Sequence, residues 1–201
     1  MQDRESRFVV ANATGPLSED LIEQAVATTV QRTHQRELHW FSDGWHGYGS
    51  ILERAYRQRR LTGKRGRPRL AVPETLTLTQ TVKHRDEHGR LLSVEIRATL
   101  GVGMKPAGTV HVERLNGALR DRLNALTRKT HAFAKRDATW DALVSLQLFD
   151  HNFHRAHRAL RVPLADGVHR YHYRSPAMAL GLTDHRWSFQ DLLTTRIPIT
   201  P

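Results

Sequence analysis

The sequence contains no cysteine. That excludes disulfide cross-links, a thiolate nucleophile and zinc held by cysteine, and nothing calls for an oxidising compartment. Long apolar runs are missing as well: no segment approaches the roughly 18 apolar residues of a membrane span. The opening residues, Met1-Gln2-Asp3-Arg4-Glu5-Ser6-Arg7, are charged where a signal peptide would be apolar. The expected location is the cytoplasm, with the nucleoid as the place to which the charge points. There is no internal repeat and no heptad run, and the 13 histidines lack a metal spacing such as His-Glu-x-x-His. Acidic residues are scarce, 20 Asp plus Glu against 31 Lys plus Arg, for a formal net charge of +11. A surplus of that size points to a polyanionic partner, because phosphate neutralisation and counterion release reward it whatever the base sequence. A merely basic soluble protein is the alternative.

What is present supports one domain of ordinary size with a small appendage: 201 residues, 39% of them hydrophobic. Phe8 to Gly15 reads as a strand ended by Gly15-Pro16. Ser18 then caps a helix whose buried face is Leu21, Ile22, Ala25, Val26, Thr29 and Val30. Leu38 to Ser42 is a short apolar strand with Asp43 at its carboxyl end, followed by a helix from Trp45 to Arg57. The segment Arg59 to Arg69 is basic and aperiodic and reads as a mobile loop. Within it, Gly66-Arg67-Pro68-Arg69 is a flat tetrapeptide suited to an AT-rich minor groove, to phosphate contact or simply to solvent. Thr75 to Lys83 and Leu91 to Leu100 alternate with a period of two and read as an antiparallel hairpin. Leu115, Leu119, Leu123 and Leu126 mark one buried side of a helix that opens near His111 and carries Glu113, Asn116 and Arg120. A second helix starts at Asp137.

Two acids on the scaffold of a basic protein, Asp43 and Glu113, point to Mg²⁺ or Mn²⁺, since carboxylates bind these ions together with phosphate oxygens. Two ions flanking a scissile phosphate need at least three protein carboxylates, and only these two lie where a strand or helix would aim them. Asp43 can equally be the cap of the helix that follows it. Arg120, Arg128, Lys129 and Arg136 flank the acid-bearing helix and, with Arg67 and Arg69, are the candidate DNA contacts. Asn116 could orient a metal-bound water or donate to DNA, or be surface filler. Trp45 and Trp140 read as core aromatics rather than stacking platforms, and His154 with His157 as helix-end residues or phosphate contacts.

Five stretches together resemble the catalytic part of DDE-type insertion-sequence transposases, close to the IS1-like bacterial group. They are Asp3 to Val10, Ser42 to Tyr48 (SDGWHGY), Val112 to Arg120 (VERLNGALR), Leu126 to Lys135 (LTRKTHAFAK) and His151 to Leu160 (HNFHRAHRAL). The resemblance implies an α/β, ribonuclease-H-like domain over residues 1–160, with a basic loop and hairpin inserted at 59–108 and a C-terminal tail at 161–201. It implies metal-dependent cleavage and strand transfer on double-stranded DNA at transposon ends and target, with Asp43 as the second acid and Glu113 as the last. The family's first acid lies on the first strand of the sheet, upstream of the segment that resembles Asp3 to Arg7. The chain begins too late to contain it, and Asp3 does not take its place. The expectation is therefore an incomplete fold and an inactive enzyme, or else a non-catalytic DNA-binding remnant that pairs with itself or with a full-length transposase.

Overall fold

The computed structural model describes residues 1–16, 18–34, 38–60, 68–103, 108–127, 131–132, 134–164 and 168–195. It divides into two compact units, one made of Met1 with Val10–Asn116, the other of Gln2–Val9 with Gly117–Pro201.

The first unit carries α1 (Glu19–Arg32), β1 (His39–Asp43), α2 (Tyr48–Tyr56), β2 (Gln58–Arg60), β3 (Arg69–Ala71), β4 (Thr77–Arg85), β5 (Leu91–Leu100) and the start of α3 (Val110–Arg122). Helix α1 begins where the Ser18 side chain accepts the Leu21 N–H at 3.2 Å, with Glu19 and Asp20 in its positive first turn. Arg54 of α2 reaches back to pair with Glu19 and Glu23 of α1. Between the two helices and one face of the sheet lies the core: Val26, Val30, Ile51, Leu52, Tyr56, Leu76 and Leu78. The sheet order is β1-β4-β5. Strand β1 runs parallel to β4, from His39 opposite Thr77 to Asp43 opposite Thr81, while β4 and β5 are antiparallel. The hairpin expected as an insertion is thus part of the acid-bearing sheet, with its first strand next to β1. At its far end Gly101 turns at φ 59°, against the Leu76 carbonyl, where a Cβ would sit 2.7 Å from that oxygen.

Two expectations are corrected in this region. Arg59, Arg60 and Arg69 do not belong to an irregular loop: β2 and β3 pair antiparallel, with Arg60 opposite Arg69. Residues 61–67, including the expected groove contact Arg67, lie outside the described residues. The strand expected over Phe8 to Gly15 is reduced to a single bridge between Val9 and Gln2. The reason lies far along the chain, where the buried Asn152 side chain accepts the Val9 N–H at 2.8 Å and donates to the Val9 carbonyl at 3.1 Å. An amide has taken the hydrogen bonds a neighbouring strand would have made.

That clasp belongs to the second unit, which holds the end of α3, α4 (Asp137–Phe149), β6 (Val162–Pro163), β7 (Tyr171–His172), α5 (Pro176–Ala179) and α6 (Phe189–Thr194). Helix α4 runs into a wider π turn at Asp150–His154, where Asp150 pairs with Arg155 at 3.0 Å and with Arg122 at 3.7 Å. Phe8, Phe149, Phe153, Trp187 and Phe189 form an aromatic cluster with centroid separations of 5.1 to 6.4 Å. Described residues beyond 160 bond back to the segment before them. The His157 N–H donates to the Arg174 carbonyl, and the Trp187 N–H to that of Phe153. Ser175 is fully buried and caps α5, and α6 opens on a reciprocal bond pair between Ser188 and Asp191. No described helix is long and apolar enough to cross a membrane.

Candidate functional site

Asp43 stands exposed at the carboxyl end of β1, the position at which open α/β sheets present reactive groups. Its Oδ1 accepts the Trp45 N–H at 3.3 Å and so shapes the turn after β1; the N-cap of α2 is Gly47, without a side-chain cap, so Asp43 does not cap that helix. The turn is fixed from below by Gln80. This side chain is buried on β4, and its Nε2 donates to the Asp43 carbonyl at 2.8 Å, to the Trp45 carbonyl at 2.9 Å and to Ser42 Oγ at 3.2 Å. Its Oε1 in turn accepts the Thr99 hydroxyl of β5 at 2.7 Å. One amide therefore ties three strands to the acid-bearing turn. Trp45 packs against the core and stands edge-on to Tyr48 at 5.1 Å, which makes it a core aromatic. Burial, and then the nearby Asp43 carboxylate, raise the Tyr48 hydroxyl above its ordinary pKa and keep it protonated.

Glu113 sits in the first turn of α3. Its Oε1 accepts from Lys83 Nζ at 2.9 Å and from the Thr109 hydroxyl at 3.1 Å. The lysine, then the hydroxyl, hold this carboxyl below the usual glutamate range. Lys83 is two residues beyond Thr81, the strand partner of Asp43. Alternation along β4 puts Asp43, Thr81 and Lys83 on one face, with Thr81 and Lys83 about 7 Å apart along the strand. The two predicted acids are thereby brought to the same parallel strand pair, Asp43 directly and Glu113 through its lysine.

As they stand these groups do not fit a two-ion centre. One of the two carboxylates is neutralised by an ammonium, and among the described residues no three His, Cys, Asp or Glu side chains converge as metal ligands. Asp3 is occupied locally, its Oδ2 accepting the Ser6 N–H at 2.7 Å.

Of the candidate DNA contacts, Asn116 and Arg120 are exposed on α3, Arg69 is exposed on β3, and Arg136 is exposed where its backbone begins α4. Arg128 and Lys129, like Arg67, lie outside the described residues. The histidines of the C-terminal motif are structural. His154 Nδ1 lies 2.7 Å from the Trp187 carbonyl, and buried His151 bonds the Arg7 carbonyl through Nε2 at 2.9 Å. The His151 and His157 rings meet edge-to-face at 4.6 Å, and burial, then the neighbouring His151, push His157 down to about 4. Sequence reasoning missed Gln80 and Lys83. Gln80 had a signal, as the one polar residue in the alternating series Leu76, Leu78, Gln80, Val82. No protein-family model matches the chain, and no curated protein and no solved structure matches it.

Proposed function

We propose that the chain is a DNA-binding domain of the DDE-transposase type, ribonuclease-H-like in its α1-β1-α2-β4 portion, which does not cut DNA by itself. The observation that supports this most is the shared address of the two acids, with Asp43 ending β1 beside β4 and Glu113 held to Lys83 on that same β4. A strand, an acid and a helix, followed by a parallel neighbour and a last acid on a helix, is the arrangement in which such enzymes bind Mg²⁺ or Mn²⁺ against a phosphate. In this chain the Lys83 ammonium occupies the last acid, and two carboxylates fall short of what two ions need. The role that remains is to bind double-stranded DNA at insertion-sequence ends, alone or beside a full-length transposase. The net charge of +11 drives the association and Arg69, Arg120 and Arg136 contribute phosphate contacts.

The test is a gel shift with salt titration, run beside a Mn²⁺-dependent nicking assay on end-bearing duplex. Binding that falls steeply with salt, with no nicking, is expected. Absence of binding at low salt overturns the DNA reading, and nicking that Asp43→Ala abolishes overturns the statement that the chain cannot cut.

A further inference from the structure

Strand β5 is the outer strand of its sheet. It is 10 residues long, exposed along all but its last residue, and among the described residues only β4 pairs with it. It carries neither proline nor lysine, the residues that commonly guard a free edge, and it is not short. The face it shares with Thr81 and Lys83 is apolar and open, with Leu92 68%, Val94 50% and Ile96 49% exposed. The other face carries Glu95 and Arg97, paired with each other at 3.1 Å and both exposed. About half of its backbone N–H and C=O groups point away from β4, and beside an apolar row they form a template for another strand.

The strand's own pattern names the occupant. In an antiparallel pair related by a two-fold axis normal to the sheet, opposed residues must share a face, so the axis passes through a residue position. An axis at Glu95 or at Arg97 sets like charges against each other across the seam. An axis at Ile96 sets Glu95 against Arg97 of the second copy twice over, Val94 against Ala98, Ser93 against Thr99, and Ile96 against itself. Every pair over Ser93–Thr99 is then apolar on apolar, hydroxyl on hydroxyl or acid on base. We infer that β5 is a self-association edge, through which a second copy of this chain extends the sheet to the order β1-β4-β5-β5-β4-β1. This rests on the charge and face pattern of β5 and stands whether or not the chain binds DNA.

Sedimentation equilibrium of the full chain, without DNA, tests it. A dimer is expected at concentrations up to about 100 µM. Glu95→Arg and Arg97→Glu should each weaken it about tenfold or more, since each places like charges opposite one another at two points of the seam. The double variant Glu95→Arg/Arg97→Glu restores both pairs and should recover the dimer. Ile96→Lys, which brings two ammoniums together on the axis, should give monomer while the circular dichroism of the chain is unchanged. A wild-type chain that stays monomeric over this range overturns the inference. So does a dimer indifferent to the swaps, or a loss in the single variants that the double variant fails to reverse.

Discussion

The Gln80 amide is the residue on which the geometry around Asp43 depends most. Replacing it with leucine keeps the apolar pattern of β4 but takes a donor from the carbonyls of Asp43 and Trp45 and the acceptor from the Thr99 hydroxyl. The expected cost is about 1–3 kcal/mol in urea unfolding, since the turn loses its bonds to the buried Gln80 amide. Ser42→Ala, which removes the long bond from Gln80 and an exposed bond to the Asp43 carbonyl, should cost less, about 0.5 kcal/mol. Lys83 acts on Glu113 first through its hydrogen bond and then through its charge. Lys83→Gln should let the Glu113 carboxyl rise toward its ordinary range, which a carbon-detected NMR titration would follow; an unmoved titration would show that the ion pair does not set the acid's state. In the second unit His157 is neutral when folded, with its pKa lowered from 6.5 to about 4 by burial and by His151. The unfolded chain then binds more protons than the folded one between those values. This contribution to stability is full above 6.5 and is lost as pH falls toward 4. His157→Gln should flatten the fall of the melting temperature across that window relative to wild type. The positions of Asp43 and Glu113 could be read from the sequence because each sits at the start or end of a periodic element. Their partners could not, because Lys83 reaches Glu113 across 30 residues and periodicity says nothing about which cation meets which acid.

Elements whose signals are local came through. Helix α1 follows from Ser18, two acids in its first turn and a 3.6-residue apolar repeat, and the structure places Glu19–Arg32 on that ground. Ser18→Ala should lower stability by about 1 kcal/mol in thermal or denaturant unfolding, as the Leu21 N–H loses its acceptor. The β4 and β5 hairpin was equally legible, from two alternating runs around a Gly89 turn. Its pairing with β1 was not: a parallel neighbour gives no turn to read, and only the match of Thr77, Thr79 and Thr81 to His39, Phe41 and Asp43 reveals it. The basic stretch after α2 looked aperiodic because three-residue strands such as β2 and β3 are shorter than any window in which a period of two can be counted.

At the scale of the whole molecule the sequence order and the unit boundaries disagree. The boundary between the two units falls within α3, after Asn116, and residues 2–9 belong with the C-terminal unit. What joins those residues to that unit is a set of contacts spanning nearly the full chain. Asn152 holds Val9 across 143 positions, His151 holds the Arg7 carbonyl, and Phe8 stands edge-on to Phe153 at 5.9 Å. Contacts of that separation close a long loop, so their bonds must outweigh a large ordering cost, and losing one is felt by everything it fastens. Asn152→Ala removes both bonds to Val9 and leaves a buried N–H and carbonyl without partners. A loss of about 1–3 kcal/mol is expected, larger than for any single exposed ion pair in the chain. The Trp187 ring packs on Phe153, the residue after Asn152, at 5.1 Å. Its indole N–H donates to the Thr183 hydroxyl at 3.0 Å. Hydrogen exchange at that indole, followed by NMR, should therefore accelerate in the variant. If Asn152→Ala leaves both the unfolding midpoint and the Trp187 exchange rate unchanged, the first nine residues are not held by this amide, and the single bridge at Val9 needs another cause.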